Sequence, residues 1–165
     1  MGRERNQEAA AVYRELAPAV MGYLRAQQVR DAEDLLGEIF LQVARDLHRV
    51  RGDAMAVRRW VFSVARHRVI DEARRRARRP ALTTQDVPDR PAGPEQEPFD
   101  TELLDALGRL TADQREVVVL RFVADLSLEE VARVTHRRVG AVKALQHRAL
   151  NALAATVSPE SSPAL

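Results

Sequence analysis

The segment "RLTADQREVVVLRFVADLSLEEVARVTHRRVGAVKALQHRALNAL" (residues 109–153) decides the fold of the C-terminal half of the chain. It contains two capping boxes, Thr111 to Gln114 and Ser127 to Glu130, and apolar residues follow each box. In a capping box, a hydroxyl accepts a hydrogen bond from the third helical N–H, and the Glu or Gln accepts from the N–H of the cap. The boxes therefore predict the starts of two helices, and a last helix is predicted over about 139–155.

The spacing of the last two predicted helices is that of a helix-turn-helix, because four turn residues would separate 127–134 from 139–149. A small residue, Ala132, stands where the two helices would cross, and Val142 would close the apolar pocket between them. The alternative is an ordinary helical hairpin with a solvated basic face. In the DNA-binding interpretation, the exposed face of the second helix presents Arg138, Ala141, Lys143, Ala144, His147 and Arg148.

Three helices are predicted in the N-terminal block. Apolar residues three and four positions apart indicate a helix over about 6–28, in which Pro18 predicts a kink or a break. A second helix should run from near Asp31 to a turn at 51–53. A third helix should follow the turn and end in the arginine-rich run 74–79.

Proline and acidic residues set the segment 80–100 apart. It contains five prolines and five acids against one arginine, a composition that predicts an extended linker. A helix through Leu103 and Leu110 opens the second block. The expected fold is all-α, with two small helical domains (1–79 and 101–157), the flexible linker between them (80–100) and a flexible tail (158–165).

The composition limits the class of protein. Of the 26 basic and 24 acidic side chains, 17 and 11 fall in residues 1–79, a surplus that suits a polyanionic partner. No cysteine is present, which excludes disulfide scaffolds and thiolate metal sites. No apolar run approaches the roughly 18–20 residues that cross a bilayer. We therefore expect a cytoplasmic protein without stable membrane insertion.

The sequence contains no recognisable catalytic motif, so we expect neither an enzyme nor a cofactor. A nucleic-acid-processing enzyme is disfavoured because no P-loop and no nucleophile–base pair occur. Asp34 and Glu38 lie one helical turn apart and are a conceivable metal-binding pair, but no third ligand joins them at a suitable spacing. The four histidines are scattered along the chain: His48, His67, His136 and His147.

The quoted segment 109–153 resembles DNA-binding region 4 of the sigma-70 family, specifically of the extracytoplasmic-function (ECF) sigma factors. "DAEDLLGEIFLQVARDLHRVRGD" (31–53) and "WVFSVARHRVIDEARRRARR" (60–79) resemble region 2 of the same group. "VKALQHRAL" (142–150) looks like actinobacterial members. The resemblance covers most of the chain, and it implies a transcription initiation subunit that directs core RNA polymerase to promoters under the control of an anti-sigma factor.

The resemblance implies that the helix after Asp31 docks on the β′ clamp of core RNA polymerase. Asp34, Leu35 and Glu38 match that contact surface, although a capped amphipathic helix would explain the same residues. Gly37 departs from the Gln that is usual in the family, which removes a polar contact and costs about 1 kcal/mol of helix propensity. Region 4 is expected to contact the β flap.

In the family, the loop matching residues 51–53 and the helix behind it recognise and open the minus-10 promoter element. Such opening needs a pocket for an unstacked base and cations along the strand. Trp60 also fits a core position, and His67 stands where Asn is common. The run 74–79 would follow duplex backbone or form a solvated helix end. The candidate minus-10 residues are Arg51, Asp53, Arg58, Arg59, Trp60, Arg66, His67 and Arg68.

The recognition helix that would contact the minus-35 element departs from the family pattern. Gly140, Val142 and Lys143 match it, whereas His136 replaces a usual turn Gly and Arg138 replaces a capping Ser. Each departure costs about 1 kcal/mol. The candidate minus-35 residues are Arg137, Arg138, Ala141, Lys143, Ala144, His147 and Arg148.

Two interpretations of the linker stay open, and the proposed function has one alternative. In related proteins the linker threads the RNA exit path, where acids would mimic nucleic acid, whereas a plain tether is the alternative. These acids are Asp86, Asp89, Glu95, Glu97 and Asp100. The alternative function is a stand-alone helix-turn-helix transcription regulator, which would bind duplex DNA without polymerase.

Overall fold

The computed structural model describes residues 1–79 and 100–157. The predictions for residues 80–99 and 158–165 lie outside the described residues. The described part is helical, without strands, as the sequence predicts, and a 3₁₀-helical turn (Leu47–Arg49) follows the second helix. The helices are α1 (Gly2–Ala26), α2 (Ala32–Asp46), α3 (Ala54–Arg78), α4 (Thr101–Arg109), α5 (Ala112–Phe122), α6 (Leu128–Thr135) and α7 (Val139–Val157).

Of the kink or break predicted at Pro18, the break is wrong, because α1 continues through this residue to Ala26. The kink stays a prediction. Proline fixes φ at a value that a helix accepts, and its cost lies mainly in the lost N–H and in crowding of the preceding turn. Buried residues on both sides of Pro18, including Leu16 and Val20, hold the two halves of α1 against one core. The free energy gained by burying this face of α1 offsets the cost of the proline in the helix.

Both predicted capping boxes are present. The Thr111 hydroxyl accepts from the Gln114 N–H at 3.2 Å, and the Gln114 side chain accepts from the Thr111 N–H at 3.2 Å. Ser127 and Glu130 form the same pair at 3.2 and 3.0 Å. The caps determine where α5 and α6 begin.

The helix-turn-helix geometry is also confirmed. Ala132 of α6 and Val142 of α7 are buried where the helices meet. Three residues, 136–138, separate the two helices. His136 closes α6 in the left-handed conformation, with φ 55° and ψ 41°.

The backbone at His136 leads to a stability prediction. Because the left-handed region is costly for a residue with a Cβ, His136→Gly should raise the free energy of unfolding by about 0.5–1 kcal/mol, measured by denaturant titration. His136→Ala keeps the Cβ and should give no such gain. An equal gain from alanine would assign the cost to the imidazole instead of the backbone.

The two helical blocks pack against each other around one continuous apolar core. Helix α5 packs on α1, and α6 packs on α3. The core includes Tyr23 and Phe62 from the first block and Leu120 and Val131 from the second. The rings of Tyr23 and Phe62 meet edge to face, with centroids 6.1 Å apart. Opposite faces of α3 consequently have different environments, since only one of them meets the second block.

Candidate functional site

The exposed face of α7, with Arg138 just before it, carries six of the seven candidate minus-35 residues. Lys143, His147 and Arg148 are exposed, as are Arg138 and Ala141, whereas Ala144 is half-buried. Burial of Val142 and Ala149 on the opposite face fixes this orientation. The arrangement gives a basic helix surface open to a polyanion.

Arg137 differs from the other candidate minus-35 residues because its side chain turns toward the rest of the protein. Its Nη2 lies 2.7 Å from Asp113 Oδ1, and its Nη1 lies 3.6 Å from Glu116 Oε1. The side chain is only 21% exposed. In this conformation Arg137 is therefore part of the junction between α5 and the α6–α7 turn.

The loop between α2 and α3 borders an open cavity of about 500 Å³. This volume lies within the range of about 300–1,000 Å³ that is typical of small-ligand clefts. Trp60 is half-buried, so it contributes both to the core and to the cavity wall. The cavity is lined by Asp46, Arg49, Val50, Arg51, Ala56, Arg59, Trp60 and Ser63. An aromatic ring beside three arginines suits an unstacked base and its phosphates.

Asp53 stands at the edge of this loop and caps α3. Its carboxylate accepts from the Ala56 N–H at 2.9 Å. The preceding Gly52 has φ 123°, a conformation that side chains rarely adopt, and a Cβ there would lie 2.7 Å from that of Ala56. The loop shape thus requires glycine at position 52.

Three candidate minus-10 arginines contact other parts of the protein. Arg58 donates to the Ala124 carbonyl at 3.0 Å. Arg66 Nε donates to both carboxylate oxygens of Glu116, each at 3.2 Å. Arg68 donates to Gln42 at 3.0 Å and lies 3.6 Å from Glu38. His67 is exposed on α3, and the arginines 74, 75, 78 and 79 are exposed at its end.

The candidate clamp surface lies on α2. Asp34 and Glu38 are exposed, whereas Leu35 is buried in the chain's own core. Leu41 was not among the residues selected from the sequence, and the structure shows that it is 68% exposed on this helix. Positions 34, 38 and 41 follow the i, i+4, i+7 spacing of one helix face, and that spacing could have identified Leu41.

Gly37 lies on the exposed side of α2, and nothing lies within 4 Å of a Cβ built there. Gly37→Ala should therefore raise the free energy of unfolding by about 0.5–1 kcal/mol, since alanine has the higher helix propensity. Gly2→Ala, at the first position of α1, is the matched control and should change stability little. A loss of stability at position 37 would contradict the open environment.

Burial raises the pKa of Tyr23 well above its usual value of 10.0, and the nearby Glu116 carboxylate adds to the rise. The positive charge of Arg66 acts in the opposite direction. The Tyr23 hydroxyl therefore stays protonated at neutral pH and donates to Glu116 at 3.0 Å.

Residues 1–79 and 100–157 contain no group of three or more His, Asp or Glu side chains that could hold a metal ion. The Asp34–Glu38 pair accordingly has no third ligand within the same part of the chain. None of the described helices combines the length and apolar character that a membrane span requires.

Two family profiles match the chain in consecutive order. The profile of Sigma-70 region 2 matches residues 12–79, and that of Sigma-70, region 4 matches residues 100–153. The first match contains the α2 surface and the α3 cavity, and the second contains the helix-turn-helix.

Curated relatives include ECF RNA polymerase sigma factors from several bacteria. BldN of Streptomyces coelicolor is 34% identical over 160 residues, which cover 93% of this chain and 58% of BldN. SigD of Mycobacterium tuberculosis is 33% identical, with coverage of 84% and 71%. SigX of Bacillus subtilis is 35% identical, with coverage of 73% and 68%. The chain thus spans more than two thirds of SigD and SigX, and somewhat more than half of BldN.

Solved structures share the fold. RpoE from Bartonella quintana, in complex with the anti-sigma factor NepR, gives a TM-score of 0.71 at 23% identity, covering 91% of this chain and 98% of RpoE. CnrH, in complex with the cytosolic domain of CnrY, gives 0.66 at 19% identity, covering 94% and 91%.

The helical fold, the helix-turn-helix and the two matched regions together define a transcription initiation factor. The chain belongs to the sigma-70 family, as an extracytoplasmic-function RNA polymerase sigma factor. The resemblance seen in the sequence is confirmed.

Proposed function

We propose that this sigma factor binds core RNA polymerase in the cytoplasm and directs it to promoters that carry minus-10 and minus-35 elements. The carrying observation is that one chain presents both a basic helix-turn-helix and, on α3, a cationic cavity with an aromatic wall. Catalysis belongs to the polymerase in this proposal. A stand-alone regulator would need only the second block, so the region 2 match over residues 12–79 argues against it.

In the proposed mechanism, α7 binds the minus-35 duplex. Lys143 and Arg148, with Arg138 and His147, would contact phosphates or base edges in the major groove. Ala141 and Ala144 offer small apolar surfaces that can lie against a thymine methyl group. The mixture of cations and small residues supports groove binding on one helix face.

The cavity beside α3 would receive a base that leaves the minus-10 duplex. Trp60 supplies a ring for stacking, and Arg51 and Arg59 supply positive charge for the neighbouring phosphates. Capturing an unstacked base offsets part of the cost of opening the duplex. Arg58, Arg66 and Arg68 join this surface only if they leave their present partners.

Asp34, Glu38 and Leu41 are proposed to contact the clamp of core polymerase. The exposed Leu41 side chain lines a shallow surface depression with Glu38, Arg45 and Arg68, which gives the composition of a small docking patch with a charged rim. Leu35 supports the patch from below by holding α2 on the core. The β flap is the proposed second polymerase contact, made by region 4.

An anti-sigma factor is the proposed regulator. RpoE is described in complex with the anti-sigma factor NepR, and it shares the fold of this chain. A partner that covers the α2 patch or the α7 face would block polymerase or promoter binding. We expect such a partner to be a protein that competes with core polymerase.

Run-off transcription on fragmented genomic DNA tests the proposed function. Purified core polymerase is assayed with and without the protein, and discrete transcripts that require the protein are expected. Core polymerase alone is the control for background initiation. Tight duplex binding without any new transcript, with a core enzyme shown to accept other sigma factors, would favour the stand-alone regulator.

A further inference from the structure

The cavity beside the loop between α2 and α3 has two walls of different chemistry. A face of α3 contributes an aromatic ring, a guanidinium and a hydroxyl, from Trp60, Arg59 and Ser63. The end of α2 and the residues that follow it contribute a carboxylate and two guanidiniums, from Asp46, Arg49 and Arg51. A stacking surface, cations and hydrogen-bond acceptors therefore border one space of about 500 Å³.

The three arginines of the cavity have no partner in the protein. Within residues 1–79 and 100–157, the side chains of Arg49, Arg51 and Arg59 form no hydrogen bond and no ion pair. Arg58 and Arg66, by contrast, donate to groups of the second block. Guanidiniums with unused donors around a shared cavity suit an anion that has several oxygens, such as a chain of phosphates.

Asp46 is the acid of the cavity, and the protein does not use its carboxylate. Asp46 precedes the 3₁₀ turn, but its side chain makes no capping hydrogen bond. In the part of the chain that the structure describes, it forms no ion pair either, although three arginines line the same cavity. A carboxylate repels phosphate, so the phosphates of a DNA strand do not explain Asp46. A ligand that uses it must offer hydrogen-bond donors.

A ribose carries donors that such a carboxylate can bind. Its 2′ and 3′ hydroxyls are adjacent, and an acidic residue binds a ribose hydroxyl in this way in dinucleotide-binding folds. A DNA strand lacks the 2′ hydroxyl, and its 3′ oxygen is esterified. The Ser63 hydroxyl donates to the Arg59 carbonyl at 3.1 Å, so its lone pairs remain as further acceptors. The acceptors of the cavity thus match a free ribonucleotide better than a DNA strand.

We propose that this cavity is a binding site for a free ribonucleotide with two or more phosphates, which competes there with the minus-10 strand. Trp60 stacks on the base, Asp46 accepts from the ribose hydroxyls, and Arg49, Arg51 and Arg59 bind the phosphates. Stacking accepts any base, so the ribose and the phosphates define the ligand. Three positive charges against one negative charge favour such a polyanion. The competition with DNA rests on the proposed function, whereas the ribonucleotide site can be tested without polymerase.

Tryptophan fluorescence of the full chain tests the site. Trp60 is the one tryptophan of the sequence, so its emission reports on this cavity directly. Titration with ATP should give saturable quenching as the base stacks on the ring. Binding of dATP should be about fivefold weaker, because dATP lacks one hydroxyl donor to the carboxylate. Binding of AMP should be about tenfold weaker, because AMP lacks two of the phosphates. Calorimetric titration measures the same affinities without an optical signal.

A substitution of Asp46 separates recognition of the ribose from a structural role. Asp46→Asn keeps the shape of the side chain and removes its charge, and should reduce the preference for ATP over dATP to about twofold or less. A structural defect would weaken both nucleotides alike and leave the preference unchanged. Asp71→Asn removes the same charge from an exposed position of α3 and should keep the preference of the parent chain.

A substitution of Arg59 tests the phosphate contacts. Arg59→Ala should weaken ATP and dATP to the same extent, about tenfold, because both nucleotides carry the same phosphates. Arg14→Ala removes an exposed arginine of α1 and should leave both affinities unchanged. Circular dichroism confirms that each variant retains its helix content. Full ATP affinity in Arg59→Ala would contradict the phosphate assignment.

Equal affinities of the parent chain for ATP and dATP, or no binding at millimolar ATP, would overturn the proposal. A single-stranded DNA oligonucleotide that contains all four bases should displace ATP, since the same cavity is proposed to receive the minus-10 strand. Failure of the oligonucleotide to compete would contradict the proposed role of the cavity in promoter opening. The ribonucleotide site would stand in that case, because its evidence is the difference between ATP and dATP.

Discussion

Reversal of the two acids on α2, Asp34→Arg with Glu38→Arg, is expected to weaken binding to core RNA polymerase at least tenfold, about 1.4 kcal/mol or more. Both side chains are exposed, so the loss should come from the partner surface and not from the fold. Glu38 also lies 3.6 Å from Arg68, and the lost pair at this exposed position should cost little stability. Titration of labelled protein with core polymerase measures the affinity.

The matched control changes the net charge by the same amount at other exposed positions. Glu33→Arg lies one residue before Asp34, about 100° around the helix, and Glu8→Arg lies on α1. This double variant should retain most of the affinity. Equal weakening by both double variants would indicate a general charge effect and would remove the α2 patch from the clamp interface.

Removal of two cations from α7, Lys143→Ala with Arg148→Ala, is expected to lower promoter affinity of the holoenzyme and to flatten its salt dependence. Each phosphate contact contributes close to one unit of slope in a plot of log affinity against log salt, so the slope should fall by about two. Promoter binding measured over a range of salt concentrations gives both quantities. The largest loss is expected at low salt.

Two arginines of α1 provide the control for the α7 variant. Arg3→Ala with Arg14→Ala removes the same charge from exposed positions outside the recognition helix. This variant should keep the salt slope of the parent protein. An unchanged slope for the α7 variant would mean that Lys143 and Arg148 do not contact phosphate.

Helix starts were predictable from the sequence because their causes are local. Thr111 and Gln114 are three residues apart, and the hydrogen bonds between them need no other part of the protein. The same holds for Asp53, which caps α3. The break expected at Pro18 did not occur, since a tertiary contribution, the burial of α1 on both sides of the proline, outweighed a local cost.

The candidate site was predictable in part. The face of α7 followed from helical periodicity, because Val142 and Ala149, seven positions apart, share the buried side and leave Lys143 and His147 on the other side. The partners of the arginines did not follow in this way. Arg58, Arg59 and Arg66 all belong to the same arginine-rich helix, and its sequence does not distinguish them. Arg58 and Arg66 contact the second block, whereas Arg59 lines the open cavity.

By itself, the sequence determined an all-α chain with two capping boxes, a helix-turn-helix and the family resemblance. These features depend on residues within one or two turns of each other and on the order of segments. Only the tertiary structure decided which cations face solvent and which face Glu116. That choice depends on contacts between residues that are distant in sequence, such as Arg66 with Glu116, 50 positions apart, and local sequence carries no information on which distant groups will meet.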